Sequence, residues 1–244
     1  VIDLHCHILP GLDDGASDLD DSAAMAEQAE LNGVTQICAT PHIRHDHDVR
    51  IAEIADRVDA LNAALANLGR QTRILTGGEV AESIVEHLDD SELRAVSLGG
   101  GGRWVLLEPA PGPLSDGLGA AVRGLERRGF RSLIAHPERH LGLDLFERLG
   151  ALTRAGALVQ VTAATMVDHA AAVGMLQLAR AGVVHVLGSD AHSAKIGRPV
   201  DIAIGLEPLW EVDFLTPHIE WIVHQAPAAI VRGDDVEPPY RPLT

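Results

Sequence analysis

Short apolar, β-branched runs alternate with longer stretches of helical period along nearly the whole chain. The runs Ile2–His5, Thr35–Thr40, Arg73–Gly77, Trp104–Leu107, Ser132–Ala135, Ala157–Val161 and Val183–Leu187 read as strands. Between them, Asp18–Asn32, Val49–Leu68, Ser83–Val96, Ser115–Gly129, Leu143–Ala155 and Thr165–Ala181 read as amphipathic helices. Glycines such as Gly33, Gly69, Gly129, Gly156 and Gly182 stand at the helix-stop positions that follow. Strict strand–helix alternation predicts a parallel sheet with helices outside it, an α/β fold. Seven repeats in a chain of 244 residues favour closure into a barrel over an open sheet. Phe214–His224 and Pro227–Arg232 read as two further helices, Gly99–Gly102 as a flexible loop, and 236–244 as a Pro-rich tail with no packing pattern. No linker divides the chain, so one domain over 1–235 followed by that tail is expected; α/β barrels of roughly 200–250 residues are routinely single domains.

Composition narrows this picture. Apolar residues make up 46% of the chain and aromatics only 3%, so the core must be built from Ala, Val, Leu and Ile. No apolar run reaches the ~18 residues of a membrane span, and no basic region leads into an apolar one at the start, so neither membrane insertion nor a secretory signal is expected. Two cysteines, Cys6 and Cys38, are too few for a disulfide framework and fit a reduced, cytoplasmic setting. The net charge of −16 argues against nucleic acid or anionic lipid as a partner of the general surface. An anionic substrate needs a local positive feature that outweighs this field. Helix faces are too uniform in pattern to predict an oligomeric state.

The strand ends carry the chemistry. His5 and His7 lie two apart on a strand, so their imidazoles can face one point. Asp13 and Asp14 follow in a Gly-rich turn. Later strands end in Thr40-Pro41-His42, Gly78-Glu79, Glu108-Pro109, His136-Pro137-Glu138-Arg139 and Gly188-Ser189-Asp190-Ala191-His192. In a parallel barrel these C-terminal strand ends share one face, where function gathers. Five of the 13 histidines fall there, and mixed imidazole and carboxylate donors at one face predict a site for several metal ions. The other eight histidines, His45 and His140 among them, read as surface or structural, and Asp13 as a turn-forming or supporting neighbour.

These motifs together, H-C-H-I-L-P-G-L-D-D-G-A, A-T-P-H, G-G-E, H-P-E-R and G-S-D-A-H, resemble the PHP (polymerase and histidinol phosphatase) superfamily. Within it, D-D-G-A, H-P-E-R and the downstream Gly197-Arg198-Pro199 are similar to the CpsB/CapC-type bacterial metal-dependent protein-tyrosine phosphatases, over residues 2 to about 233. The resemblance implies a distorted, TIM-like (β/α)7 barrel holding three divalent ions, Mn foremost, with Fe, Zn or Co as alternatives. By motif, one ion takes His5, His7, Glu79 and Asp190. A second shares Glu79 and adds Glu108 and His136. The third takes Asp14, His42 and His192. Arg139 and Arg198 match the family's catalytic, substrate-binding arginines, and Arg44 is a third candidate. Four ligand carboxylates contribute about −4, so three divalent ions leave about +2, an attractor for a phosphate dianion that two ions would not give.

The activity implied is hydrolysis of a phosphomonoester by metal-bound hydroxide, with tyrosine-phosphorylated kinases of capsule or exopolysaccharide export as substrates. A small-molecule phosphoesterase, acting on histidinol phosphate or a nucleotide, is the alternative; a non-catalytic, metal-holding module of an export system is a third reading. A cysteine phosphatase reading also exists, because Cys38-Ala-Thr-Pro-His-Ile-Arg44 spells C-x5-R. Pro41 removes a phosphate-binding N–H from that loop, and the loop holds no glycine. After Glu79 the chain runs Val80-Ala81-Glu82-Ser83, without the basic or long apolar residue common in relatives, and the 44–48 loop is unusually charged. The phosphate chemistry is therefore better specified by these motifs than the phosphorylated partner or the group that protonates its leaving oxygen.

Overall fold

The computed structural model describes residues 1–140, 142, 144–164 and 169–241. Its strands are β1 (Ile2–Cys6), β2 (Gln36–Ala39), β3 (His42–Ile43), β4 (Arg73–Leu75), β5 (Glu79–Ala81), β6 (Trp104–Glu108), β7 (Arg131–Ile134), β8 (Leu158–Thr162) and β9 (Val186–Gly188). They form two sheets, β1-β2-β4 and the curled half-barrel β3-β5-β6-β7-β8-β9, and every pairing between them is parallel. The alternation read from the sequence is thus an α/β fold with parallel strands.

The expected second and third strands stand as β2 and β4, and each is followed after a break by a short strand that was not expected, β3 and β5. Pro41 has no N–H to continue the ladder beyond β2, and its carbonyl instead accepts from Glu79 N at 3.0 Å. Gly77 and Gly78 break the third strand where neighbours crowd the backbone. A Cβ on Gly78 would stand 2.9 Å from Val96 Cβ, and one on Gly77 3.0 Å from the Ala39 carbonyl. Both breaks shift the chain sideways in step, so β3 pairs with β5 with His42 opposite Glu79. On its other side β1 meets the segment after β9: Asp190 N donates to His5 O at 2.8 Å and His7 N to Ala191 O at 2.9 Å.

Helices α1 (Leu19–Leu31), α2 (Ile54–Asn67), α4 (Asp116–Arg127), α5 (Leu145–Arg154) and α6 (His169–Arg180) stand close to where the periodicity puts them, with α3 (Asp90–Ala95), α7 (Glu207–Trp210) and α8 (Ala226–Arg232) completing the set. The expected start of the fifth helix at Leu143 and the first turn of the sixth, 165–168, lie outside the described residues. The helix expected over Ser83–Val96 shrinks to α3. Asp89 accepts from Ser91 and Glu92 N while Glu92 reaches back to Asp89 N, a capping box that starts the helix late. Phe214–His224 is not one helix but a tight turn at Thr216–His218 and a wide one at Trp221–Gln225, with Pro217 and Pro227 each lacking a backbone donor nearby.

Aliphatic side chains pack on both faces of the sheets. Inside, Leu4, Leu106, Leu133, Leu158 and Val186 come from five strands and meet Trp104, Leu98 and Ile230 of α8. Gly99–Gly102 is therefore no free loop. It is pressed against the end of α8, where a Cβ on Gly99 would stand 2.5 Å from that of Val231 and one on Gly101 2.7 Å from Gly233 N. The tail is not unpacked either. The Tyr240 ring stacks on His185 at 5.9 Å, Trp221 meets it edge-on, and its hydroxyl donates to the Val184 carbonyl.

His185 is buried, accepts a hydrogen bond from Val159 N at 3.0 Å, and is pushed by burial down to about 3. The unfolded imidazole takes its proton near pH ~6.5, so between these values the unfolded state binds more protons and stability falls as pH drops. Thermal unfolding between pH 7 and pH 5 is expected to show a loss approaching about 1 kcal/mol per pH unit from this residue. His185→Asn keeps an acceptor for Val159 but no titrating group, so its unfolding should depend less steeply on pH; an unchanged slope would remove His185 as the cause.

Candidate metal centre

β1 presents His5 and His7 on one side because they are two residues apart, and both are essentially fully buried. Each ring is turned by a partner on its far nitrogen. His5 Nδ1 meets Gln160 Oε1 at 2.9 Å, and His7 Nδ1 meets Asp13 Oδ2 at 2.8 Å. With those nitrogens protonated, the lone pairs of both Nε2 atoms face inward. Asp13 also accepts from His42 N at 3.0 Å and Gly15 N at 3.0 Å, which closes the 10–15 turn over the site.

Glu79 Oε2 and Asp190 Oδ1 complete the group. His5 Nε2 lies 3.3 Å from each, and His7 Nε2 lies 3.4 and 3.5 Å from them respectively. The two Nε2 atoms are 3.3 Å apart. Four donors each 2.0–2.2 Å from a tetrahedral ion stand about 3.3–3.6 Å from one another, so His5, His7 and Glu79 are spaced as ligands of one ion, while Asp190 groups with His5 and His136. Glu79 Oε2 and His42 Nδ1 are 3.0 Å apart yet neither has a hydrogen-bond partner, which fits two donors aimed past each other at a shared cation.

Three further groupings surround this one. His7, Asp14, His42 and His192 come together, with Asp14 Oδ1 3.4 Å from His42 Nε2 and 3.6 Å from His192 Nε2. His42, Glu79 and Glu108 form another, and His5, His136 and Asp190 a third. All nine candidate ligands therefore fall within one connected cluster. The sequence reading put His136 and Glu108 on the same ion. Here His136 Nε2 bonds Glu79 Oε1 at 2.8 Å and groups with His5 and Asp190, whereas Glu108 groups with His42. His42 faces Asp14 with one nitrogen and Glu79 with the other, so it stands between two groups.

Burial raises the Glu79 and Asp190 carboxyls, but the neighbouring imidazoles outweigh it and both end well below the ordinary range. Burial lowers His5 and His7, and the surrounding carboxylates reverse that, His7 most strongly. Glu108 is raised by burial and by the Glu79 charge. The centre is thus a pool of ionised oxygens that demands positive charge.

Asp3 was not singled out by sequence reading. It is fully buried; its Oδ1 accepts from His5 N at 3.1 Å and Ser189 N at 3.0 Å, and its Oδ2 accepts from Ser189 Oγ at 2.5 Å. One carboxylate thus staples the strand bearing His5 and His7 to the segment bearing Asp190 and His192. Gln160 was missed as well, since it sits inside β8 rather than at its end. Among the described residues the only non-glycine positions with positive φ are His136 (32°) and Asp190 (49°), both candidate ligands.

The cluster opens into a cleft of about 500 Å³ bordered by Arg44, Arg139 and Arg198. Arg139 donates to Asp190 Oδ2, and Arg198 approaches the same oxygen at 3.0 Å while its Nε donates to the Asp190 carbonyl at 2.8 Å. Arg44 is held by Asp46 at 2.6 Å and reaches Glu108 at 3.2 Å. The cysteine reading finds no support in this geometry: Cys38 is buried in β2 and its thiol is pushed up to about 12 by burial.

A family model for capsular polysaccharide synthesis, CpsB/CapC, matches residues 1–205. The chain belongs to the CpsB/CapC family. Tyrosine-protein phosphatase YwqE of Bacillus subtilis (strain 168) is 31% identical to it over 202 residues, 80% of this chain and 78% of that protein. CapC of Staphylococcus aureus is 27% identical over 200 residues, 79% of this chain and 77% of that protein. A solved CpsB/CapC-type structure, from work on YwqE of Bacillus subtilis and CpsB of Streptococcus pneumoniae as unique metal-dependent tyrosine phosphatases, superposes with a TM-score of 0.85 at 27% identity and covers 100% of both chains. Among the described residues no helix is long and apolar enough to cross a membrane.

Replacing Gln160 by Leu removes the acceptor that orients His5. The expected result is about 10–100-fold weaker binding of divalent metal, measured by titration of the metal-stripped protein, with the melting temperature of the stripped protein as a check on folding. Unaltered affinity would show that Gln160 does not set the His5 tautomer.

Proposed function

We propose that this chain is a metal-dependent protein-tyrosine phosphatase with the strands wound as a distorted (β/α)7 barrel around three divalent ions, Mn foremost. The observation that carries this reading is the convergence of His5, His7 and Glu79 at ligand spacing, joined through Asp190 to an arginine-bordered cleft. His5, His7, Glu79 and Asp190 would hold one ion, and Asp14, His42 and His192 another. Glu79 would be shared with the third, which His136, bonded to Glu79 Oε1, and Glu108, grouped with Glu79 and His42, would serve from separate sides. Bound there, such ions supply Lewis acidity for phosphoryl oxygens and bring the pKa of water towards ~7.

The chain's own residues do the rest. Arg139 and Arg198 offer guanidinium forks that match a phosphate's oxygens, and their anchor on Asp190 keeps them pre-aimed at the cleft. Arg44 also borders the cleft and adds a third positive charge. The Pro10–Gly15 turn, tied by Asp13 to His7 and His42, carries Asp14 over the site. A phenolate leaving group has a pKa of ~10, so a tyrosyl ester needs little help from an acid, in keeping with the absence of a dedicated carboxylic acid among the described residues at the cleft mouth other than the candidate ligands. Relatives named as tyrosine phosphatases, in a family named for capsular polysaccharide synthesis, favour a tyrosine-phosphorylated protein of polysaccharide export as the substrate.

Turnover of a phosphotyrosine peptide, a phosphoserine peptide and histidinol phosphate by the purified protein, with Mn and after chelation, tests this. The phosphotyrosine peptide should be preferred and chelation should abolish turnover; a strong preference for histidinol phosphate would overturn the reading. Arg198→Ala should lower kcat/KM for the peptide by about 10–100-fold, the loss of one charged hydrogen-bonding partner. For the metals, Asp14→Ala should deplete one ion while the His5 and His7 ion stays bound, as read by metal analysis; loss of all metal together would contradict that division.

A further inference from the structure

Among the described residues, the cleft has one apolar side chain. The other described side chains that line it are acids, histidines and arginines, and Ile196 interrupts them. Ile196 is 80% exposed, an unusual state for a large aliphatic residue in a protein whose aliphatic side chains are mostly packed. Single exposed aliphatics are common on protein surfaces, so exposure alone decides nothing. Its setting does.

The loop that carries Ile196 is fixed on both sides. Ser193 Oγ and Ala194 N both donate to Asp21 Oδ1, at 3.1 and 3.0 Å, and Gln28 of α1 donates to the Ala194 carbonyl at 2.8 Å. On the far side, Gly197 takes φ +87° and lets the chain reverse, after which Arg198 returns to the Asp190 carbonyl at 2.8 Å. An apolar side chain is thereby held at the rim, two residues from an arginine that borders the phosphate position. Ile196 borders the same cleft as Arg139 and Arg198, so the ester substituent of a phosphate held by them can leave along this rim. A phenyl ring offers Ile196 a flat apolar face to bury, while the short methylene of an alkyl ester leaves it wet.

We infer that Ile196 is the specificity-determining contact that favours aryl over alkyl phosphate esters, an assignment that rests on the phosphatase reading above. The test compares kcat/KM for phenyl phosphate, glycerol phosphate and a phosphotyrosine peptide in the Mn-loaded wild type, Ile196→Ser and Ile196→Leu. The aryl-to-alkyl ratio should fall about 3–10-fold in Ile196→Ser for phenyl phosphate as well as for the peptide, and Ile196→Leu should restore it. Thermal unfolding controls for folding, which an exposed position should not disturb. A loss confined to the peptide would overturn the assignment, because Ile196 would then touch the flanking chain and not the ring. So would an unchanged ratio. A wild type that hydrolyses alkyl and aryl esters equally well would also overturn it, whereas one that hydrolyses no phosphomonoester would instead strike at the phosphatase reading and take this assignment with it.

Discussion

Two buried carboxylates facing two buried imidazoles set the terms for the rest of this molecule. Glu79 and Asp190 are almost wholly removed from water, and an ionised carboxylate in such a place costs several kcal/mol unless positive charge is close by. The surroundings answer that demand from every side: His5, His7, His42 and His136 approach Glu79, and Arg139 and Arg198 approach Asp190. Burial alone would keep both carboxyls protonated. Their pKa values end instead well below normal, which means the field of neighbouring cationic or cation-ready groups is the stronger effect. A centre with this electrostatic character suits small divalent cations, which concentrate two charges where a protonated imidazole brings one.

Much of the local fold can be traced to holding that centre together. The breaks at Pro41 and at Gly77-Gly78 interrupt two strands together, and the new register sets His42 beside Glu79. His136 and Asp190 sit in left-handed backbone, a conformation that costs of order 1–3 kcal/mol per residue unless surrounding contacts enforce it. At Asp190 those contacts are visible: its N–H bonds His5 O, its carbonyl holds Arg198, and Ser189 beside it is tied to Asp3. At His136 the following Pro137 and the bond to Glu79 do the same work. Asp3 is a further support, and its bonds to His5 N and Ser189 explain why an acid stands fully buried inside β1.

How much of this was legible beforehand follows from how local each signal is. The convergence of side chains at the strand ends could be read because a strand's period fixes where its side chains point and a parallel sheet gathers its ends at one face; bringing the H-x-H pair together with the histidines at 42, 136 and 192 needed nothing more. The grouping of those ligands was not legible, since it depends on the sideways shift at two strand breaks. Gln160 and Asp3 were invisible for a related reason: each bonds a residue of another segment, His5 at 155 positions and Ser189 at 186 positions away in sequence respectively, and nothing in its own neighbourhood marks it. The tail misled in the opposite way. Its prolines suppress any periodic pattern, yet one tyrosine suffices to seat it against His185 and Trp221.

The arginines show how an acidic protein with net charge −16 can still attract a phosphate. Arg198 is fixed through its Nε to a backbone carbonyl, so part of its fork is free to turn towards an incoming anion without loss of position. Arg139 and Arg198 share one Asp190 oxygen, and Arg198 has a second hold on the Asp190 carbonyl. Arg44 differs, because Asp46 and Glu108 both neutralise it. Once Glu108 is drawn to a cation, Arg44 keeps only its exposed partner Asp46, and solvent screens that pair heavily. Filling the metal cluster would therefore release positive charge at the rim as well as supply it at the centre. With Glu108 as a ligand, metal binding and phosphate attraction would in this way be coupled through a single carboxylate, and the cleft would be most favourable to an anion with the centre loaded.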